Sequence, residues 1–344
     1  MTLEQSQTVY ATSINAVLQV AVAAGVDRNG LLEEAGINPA ILSIPGERVA
    51  VSQFISLYKL AEVQTQDPDI GLKVGRASYF LGMNLQLYMT TICVNLKQYL
   101  NVIPSTIRLR GDLGRVLIRP EKDFIRLEWH PLNSRVGALR LVSDEMLCSA
   151  ALIVGSICAL PVPVMSAEFS YARPDNTAGL ENAFGSKLRF NSQVSCLYFP
   201  RESLNYPLLN LDYKLGQDFT AKPQSLFEST KGIEDPFLRD LRAAMLRTLP
   251  TGELTIDSLS KALGVSRRTL QRRLTARDSS FKQLLQTLRD ELSERYLEDA
   301  RLGITEIAFL LGYSDQASFS NAFRSWRNCS PSEHRNKHIN KHTN

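Results

Sequence analysis

Two stretches near the C-terminus repeat one pattern, and that repetition restricts the fold more than any other feature of the chain. In LTIDSLSKALGVSRRTLQRRLTARDSS, residues 254–280, apolar side chains at Ile256, Leu259, Ala262 and Leu263 recur at helical spacing until Gly264 interrupts them. Ser266 is an N-cap type of residue, so a second helix opens behind it. The inward seam of that helix is thin, Leu270 and Leu274, and the rest is a fan of Arg267, Arg268, Gln271, Arg272, Arg273 and Arg277. Helix, Gly-containing turn, helix is the helix-turn-helix pattern. A reader helix of this composition suits the major groove, where Arg pairs with guanine and Gln with adenine bidentately. A solvated basic helix is the bland explanation for one such unit.

The pattern then recurs. Ile304, Ile307, Ala308 and Leu311 form an inward stripe, Gly312 breaks it, and Ser314 and Asp315 can cap the next helix. That helix is expected over 316–327, with Phe319, Phe323 and Trp326 inward and Gln316, Ser318, Ser320, Asn321 and Arg324 outward. From Gly264 to Gly312 the units read as an internal duplication in register. Between them, 281–302 reads as a connecting helix that packs on both units through Leu284, Leu285, Leu288, Leu292, Tyr296 and Leu297. Two reader helices on one chain can enter successive major-groove segments about 34 Å apart.

The stretch ITEIAFLLGYSDQASFSNAFRSWRNCSPSEHR resembles the second helix-turn-helix of the AraC/XylS family of bacterial transcription regulators, and IDSLSKALGVSRRTLQRRL is similar to that family's first unit. The resemblance places Arg268, Gln271 and Arg272 where the first reader helix contacts bases, and Gln316, Ala317, Ser320 and Asn321 at the corresponding places in the second. Arg267 and Arg324 complete the expected DNA-facing set. Two departures weaken the second unit: Ala317 offers at most a contact to a thymine methyl, and Asn321 stands where a basic residue is frequent. His334 stands where the family usually has an aromatic residue, before the closing Arg335.

Charge is distributed to match. From Lys261 onward the net charge is +6, and the remainder of the chain carries −2. A basic module on a near-neutral body implies a phosphate-facing patch joined to something with another partner. Cys93, Cys148, Cys158, Cys196 and Cys329 form no CxxC pair, and with no signal peptide visible a reduced cytoplasmic setting is expected. The longest apolar run, 146–160, is shorter than a membrane span and follows Asp144 and Glu145 directly, so a buried helix and no membrane role are expected.

Earlier in the chain, helices are expected over 12–24, 28–35, 51–64, 70–77 and 96–103. Period-two alternation over 106–110, 115–119 and 124–130, split by GDLG and PEKD turns, predicts an antiparallel meander. A long helix over 136–160, strands at 164–171, 188–191 and 194–199, and a short helix over 175–184 complete the picture. The expected fold is therefore an α+β N-terminal effector domain, helices packed on an antiparallel sheet, followed by an all-α DNA-binding domain with two helix-turn-helix units. Expected boundaries are 1–210 for the first, a polar linker over 211–235, 236–335 for the second and a basic polar tail over 336–344. The segments INAVLQVAVAAGVDRNGLLEEAGI and LENAFGSKLRFNS resemble the arabinose-binding-type effector domain of one branch of the same family, without implying arabinose as ligand.

Other chemistry is weighed against plainer explanations. His334, His338 and His342 are spaced by four, but no carboxylate or Cys completes a metal set. Arg140 and Asp144 are candidates for anchoring a ligand, with an intrahelical ion pair the commoner explanation of that spacing. Phosphate loops of the GxGxxG or GxxxxGK[ST] type are absent, so no cofactor is expected. A non-enzymatic regulator is the expected class, gated by a small-molecule effector, with promoter DNA and RNA polymerase as partners and a homodimer plausible. Family resemblance implies activation. The alternatives are a constitutive binder with no ligand and a DNA alkyl-acceptor repair protein, the latter needing an activated Cys that neither VSCLYFP nor RNCSP supplies with a neighbouring His.

Overall fold

The computed structural model describes residues 6–44, 47–209, 236–298 and 302–342. Contacts divide the chain into two compact units, residues 1–209 and 210–344. The expected linker over 211–235 lies outside the described residues.

In the first unit, helices α1 (Asn15–Ala23), α2 (Arg28–Glu34), α3 (Val51–Thr65), α4 (Ile70–Leu81), α5 (Met83–Ile92) and α6 (Leu96–Thr106) precede the main sheet. Short strands β1 (Thr8–Tyr10) and β2 (Arg48–Ala50) pair antiparallel, with Val9 opposite Val49. The five-stranded sheet is built from β3 (Gly114–Pro120), β4 (Phe124–Pro131), β5 (Ser166–Glu168), β6 (Leu188–Arg189) and β7 (Ser195–Pro200), in the order β3-β4-β7-β5-β6. Alternation along β4 and β7 turns Ile125, Leu127, Trp129, Leu197 and Phe199 into the core. Between β4 and β5 run α7 (Ser134–Gly137) and α8 (Arg140–Ile157), and α9 (Ala178–Phe184) precedes β6.

Two expectations are corrected. Residues 106–110 form no strand: α6 runs past Pro104 to Thr106 and a 3-10 turn covers Ile107–Arg110. Five residues of alternation cannot separate a strand from a tight helical turn, and here Arg110 is drawn inward to a buried carboxylate. The sheet is mixed, because β5 and β6 pair in parallel while its other pairings are antiparallel. Residues 83–92, to which the periodicity assigns no element, form the helix α5.

Helix α8 is the spine of this unit, touching β4 and β7 on one side and α4 on another. Close approach to α4 depends on two glycines. A Cβ on Gly71 would sit 2.4 Å from the Leu141 carbonyl oxygen, and one on Gly75 would sit 2.7 Å from that of Glu145. The same helix carries Asp144 and Glu145, both fully buried. Burying a carboxylate is costly unless it is paired and hydrogen-bonded, and both are. Glu145 accepts from Ser78 Oγ at 2.8 Å, from the Tyr58 hydroxyl and from the Arg110 guanidinium. Asp144 accepts from Arg140 Nε at 2.8 Å and from the Tyr171 hydroxyl, while Arg140 Nη2 reaches Asp69 at 2.7 Å. Burial pushes the Asp144 carboxyl up to about 6, against the lowering pull of Arg140.

In the second unit, α10 (Pro236–Thr248) precedes two helix pairs, α11 (Ile256–Ala262) with α12 (Arg267–Thr275) and α14 (Ile304–Leu310) with α15 (Gln316–Arg327). Helix α13 (Phe281–Glu298) connects the pairs, burying Leu284, Leu288, Leu292, Tyr296 and Leu297. Helix α16 (Pro331–His342) closes the chain, its backbone helical through most of 336–344. Among the described residues, no helix is long and apolar enough to cross a membrane.

Candidate nucleic-acid interface

Each reader helix starts on a side-chain cap. Ser266 accepts from the Thr269 amide at 3.1 Å, and Asp315 accepts from the Ser318 amide at 2.7 Å. That amide bond holds the Asp315 carboxyl below the usual carboxylate range. The turns before these caps differ by one residue: Gly264 is two residues before its cap, Gly312 three before its own. The duplication is thus in register through the glycines and shifted by one along the reader helices.

Helix α12 buries Leu270 and Leu274 and leaves Arg267, Arg268, Gln271 and Arg272 exposed. The side chains of Arg268, Gln271 and Arg272 make no hydrogen bond or ion pair among the described residues. Arg267 is different: its Nη1 lies 3.2 Å from Asp257 of α11, both side chains being exposed. Arg273 and Arg277 point to another task. Their guanidinium groups lie 5.2 and 4.8 Å from the centre of the Phe237 ring, fastening the back of α12 to α10. The six-membered polar fan of the sequence is therefore divided into three unpaired side chains, one tethered Arg and two anchors.

Helix α15 is seated more deeply. Phe319 and Phe323 are fully buried, and Trp326 is half-buried beside Phe323. Arg327 grips Asp290 of α13 with two bonds of 2.8 Å and reaches Glu294 at 2.7 Å. Arg289 of α13 donates to the Leu311 and Gly312 carbonyls at 2.8 and 3.1 Å and lies 4.2 Å from the centre of the Tyr313 ring. Those bonds satisfy carbonyls left open where α14 ends. Arg242 of α10 pairs with Glu291 of α13 at 3.0 Å, so α13 is tied both to the brace of the first helix pair and to the turn of the second.

On the outer side of α15, Ala317, Asn321 and Arg324 are exposed, and Gln316 and Ser320 are half-buried. Two polar groups already have internal partners: Gln316 Oε1 lies 2.5 Å from Thr305 Oγ1, and Asn321 Oδ1 lies 3.5 Å from Arg324 Nη1. Arg273, Arg277, Arg289 and Thr305 were not separable by sequence, because what distinguishes them is the residue each meets on another segment of the chain.

The remaining candidates fall elsewhere. Arg140 and Asp144 pair with each other and with Asp69 and Tyr171 inside the first unit. His130, without a partner visible in sequence, meets the buried Glu128 at 2.7 Å alongside Arg119 and Arg126. His334 packs edge-on against Phe323 at 5.3 Å between ring centres, filling the place of the expected aromatic. The side chains of His338 and His342 lie outside the described ones, and among the described residues no cluster with metal-binding composition occurs. Cys329 has an imidazole neighbour after all, His334 Nδ1 at 4.0 Å from its Sγ. Burial pushes Cys93 up to about 12 and Cys148 and Cys158 up to about 11, so these thiols are held protonated.

Residues 25–208 match a family model described as the arabinose-binding domain of AraC transcription regulator, N-term, and residues 259–337 match a helix-turn-helix domain model. The ornithine utilization regulator of Pseudomonas aeruginosa is 25% identical over 324 residues, 93% of this chain and 94% of that protein. The HTH-type transcriptional regulator VirS of Mycobacterium tuberculosis is 31% identical over 122 residues, 33% of this chain and 36% of that one. Among solved structures, the transcriptional regulator CdpR from Pseudomonas aeruginosa covers 90% of this chain and 96% of its own, at 19% identity and a TM-score of 0.40.

Proposed function

The chain belongs to the AraC family and is a DNA-binding transcription regulator, and from there we propose that α12 and α15 read one promoter or operator under the control of a small molecule bound by the first unit. One observation carries this reading: Arg268, Gln271 and Arg272 are exposed and, among the described residues, without internal partners on a helix fastened from behind by Arg273 and Arg277. Side chains with no partner among the described residues lose no bond to them when they pair with base edges. Helix α13, with 18 residues, is about 27 Å long. A rod of that length, clamped at both helix pairs, suits two readers separated by about one turn of B-form DNA.

The effector acts by population shift: it binds better to the arrangement that frees both readers, and that arrangement activates by touching RNA polymerase. A homodimer would place two such pairs on one site. The constitutive alternative has no effector to shift. Binding-site selection from random duplexes by the full chain tests the core of the reading. Arg268→Ala and Gln271→Ala should each cost about 1–3 kcal/mol on the selected site and relax one base position. Uniform weakening across all sequences would reassign these side chains to phosphates.

The alkyl-acceptor reading has one observation in its favour, the Cys329–His334 approach of 4.0 Å. Incubation with methylated duplex and then intact-mass measurement decides it, and absence of methyl transfer to Cys329 retires that reading.

A further inference from the structure

We infer that Thr305 determines which base Gln316 prefers, by holding its carboxamide so that only donors are offered to the groove. This rests on the reading that Gln316 touches bases. Gln316 is the first residue of α15, and the N-terminal residues of a reader helix are those that reach base edges. Thr305 is the second residue of α14, the scaffold helix packed against α15.

The hydroxyl of Thr305 and Oε1 of Gln316 are 2.5 Å apart. The bond runs from the hydroxyl to the amide oxygen, so the oxygen, not the nitrogen, faces α14. Thr305 donates its one proton and Gln316 Oε1 accepts it. A carboxamide recognises adenine by using both ends at once, accepting from N6 and donating to N7. With the oxygen turned to α14, that two-ended pairing is lost. What remains is Nε2 with two N–H groups, matching the two adjacent acceptors of guanine, N7 and O6.

The first helix pair of the same unit contains the same device. Arg267, the first residue of α12, is held at 3.2 Å by Asp257, the second residue of α11. In both pairs, the second residue of the scaffold helix fixes the first side chain of the reader. Arg267 and Asp257 are exposed, so water competes for that tether, whereas Thr305 and Gln316 are half-buried.

The test uses the full chain and binding-site selection, then competition with single-base variants of the selected duplex. Gln316→Ala first identifies the base position that Gln316 reads. There the wild type should favour guanine over adenine, and Thr305→Val, which keeps the shape and removes the proton, should raise the adenine-to-guanine ratio by about threefold to tenfold, the worth of one neutral hydrogen bond. Preference elsewhere should stay fixed, and Thr305→Val combined with Gln316→Ala should match Gln316→Ala alone. An unchanged ratio in a folded Thr305→Val protein overturns the inference while leaving the Gln316 contact standing. Gln316→Ala with no effect at any position overturns the contact and the inference together. Should Thr305→Val fail to fold, Gln316→Glu serves: Thr305 would occupy one oxygen, the other would accept from the groove, and the preference would move to cytosine. No movement would overturn the inference.

Discussion

Gly312 and Gly264 occupy equivalent turns and adopt the same left-handed conformation, φ +71° and +64°, yet replacing them by Ala should cost different amounts. Each substitution places a Cβ in a region that disfavours side chains, which costs about 1–2 kcal/mol. At Gly264 nothing more is added, since no heavy atom lies within 4 Å of the new Cβ. At Gly312 the Cβ would lie 2.4 Å from the Leu249 carbonyl oxygen, a backbone atom that cannot rotate away. Relief requires the turn between α14 and α15 to move off the segment after α10. Forced shifts of this kind cost about 1–3 kcal/mol in well-packed regions. The same turn receives the Arg289 bonds at 2.8 and 3.1 Å, so movement strains those as well. Gly264→Ala should therefore cost about 1–2 kcal/mol in total and Gly312→Ala about 2–5 kcal/mol. Urea melts monitored by tryptophan emission can separate the units, because Trp129 lies in the first and Trp326 in the second. For a unit of this size, each kcal/mol lowers the midpoint by about 4–8 °C in the corresponding thermal experiment. Equal costs at the two glycines would refute the reasoning, and a larger cost at Gly264 would reverse it.

The same contacts set further outcomes. Arg110→Met should destabilise the first unit by about 3–5 kcal/mol in chemical denaturation, since it leaves Glu145 buried without its cation; a loss below 1 kcal/mol would show that Tyr58 and Ser78 suffice. The Asp144 carboxyl is raised to about 6 in the folded chain, above its unfolded value. The stability from its bound proton is thus present in full below about pH 4 and lost as pH rises through about 6. The cost of Asp144→Asn, which cannot titrate, should accordingly shrink by up to about 3 kcal/mol between those limits, and a pH-independent cost would contradict the shifted carboxyl. Affinity for random-sequence duplex should fall steeply with salt, and Arg272→Ala should flatten the slope if it touches phosphate while leaving it unchanged if it reads only a base.

Much of this architecture was legible before any coordinates, for reasons that differ by element. Leu270 and Leu274, and Phe319 and Phe323, announce the inward sides of both reader helices because apolar residues four apart on a helix share a face. The cap at Ser266 was equally plain, since capping is a local bond between neighbours in sequence, while Ser314 and Asp315 both qualified at the second helix and the structure uses Asp315. The strands at 124–130 and 194–199 showed their alternation. The supposed strand at 106–110 misled, because its conformation follows from Arg110 meeting Glu145, a partner 35 residues away. Helix α5 lacked a clear apolar stripe, and the pairing of β5 with β6 depends on where the chain returns after α9. Within the candidate interface, the sequence supplied the polar fan but could not sort it, and the one-residue offset between the two turns emerged only from where the caps fell.

By itself the sequence determined the duplicated helix pairs, their family and the residue types along the outer faces of α12 and α15, all of which are written in spacings of a few residues. Only the tertiary structure decided which of those side chains are already engaged: Arg273 and Arg277 on Phe237, Arg327 on Asp290, Gln316 on Thr305. The physical reason is that helical periodicity and capping act between near neighbours, whereas a hydrogen bond or ion pair between helices exists only once packing has brought two distant segments within about 3 Å.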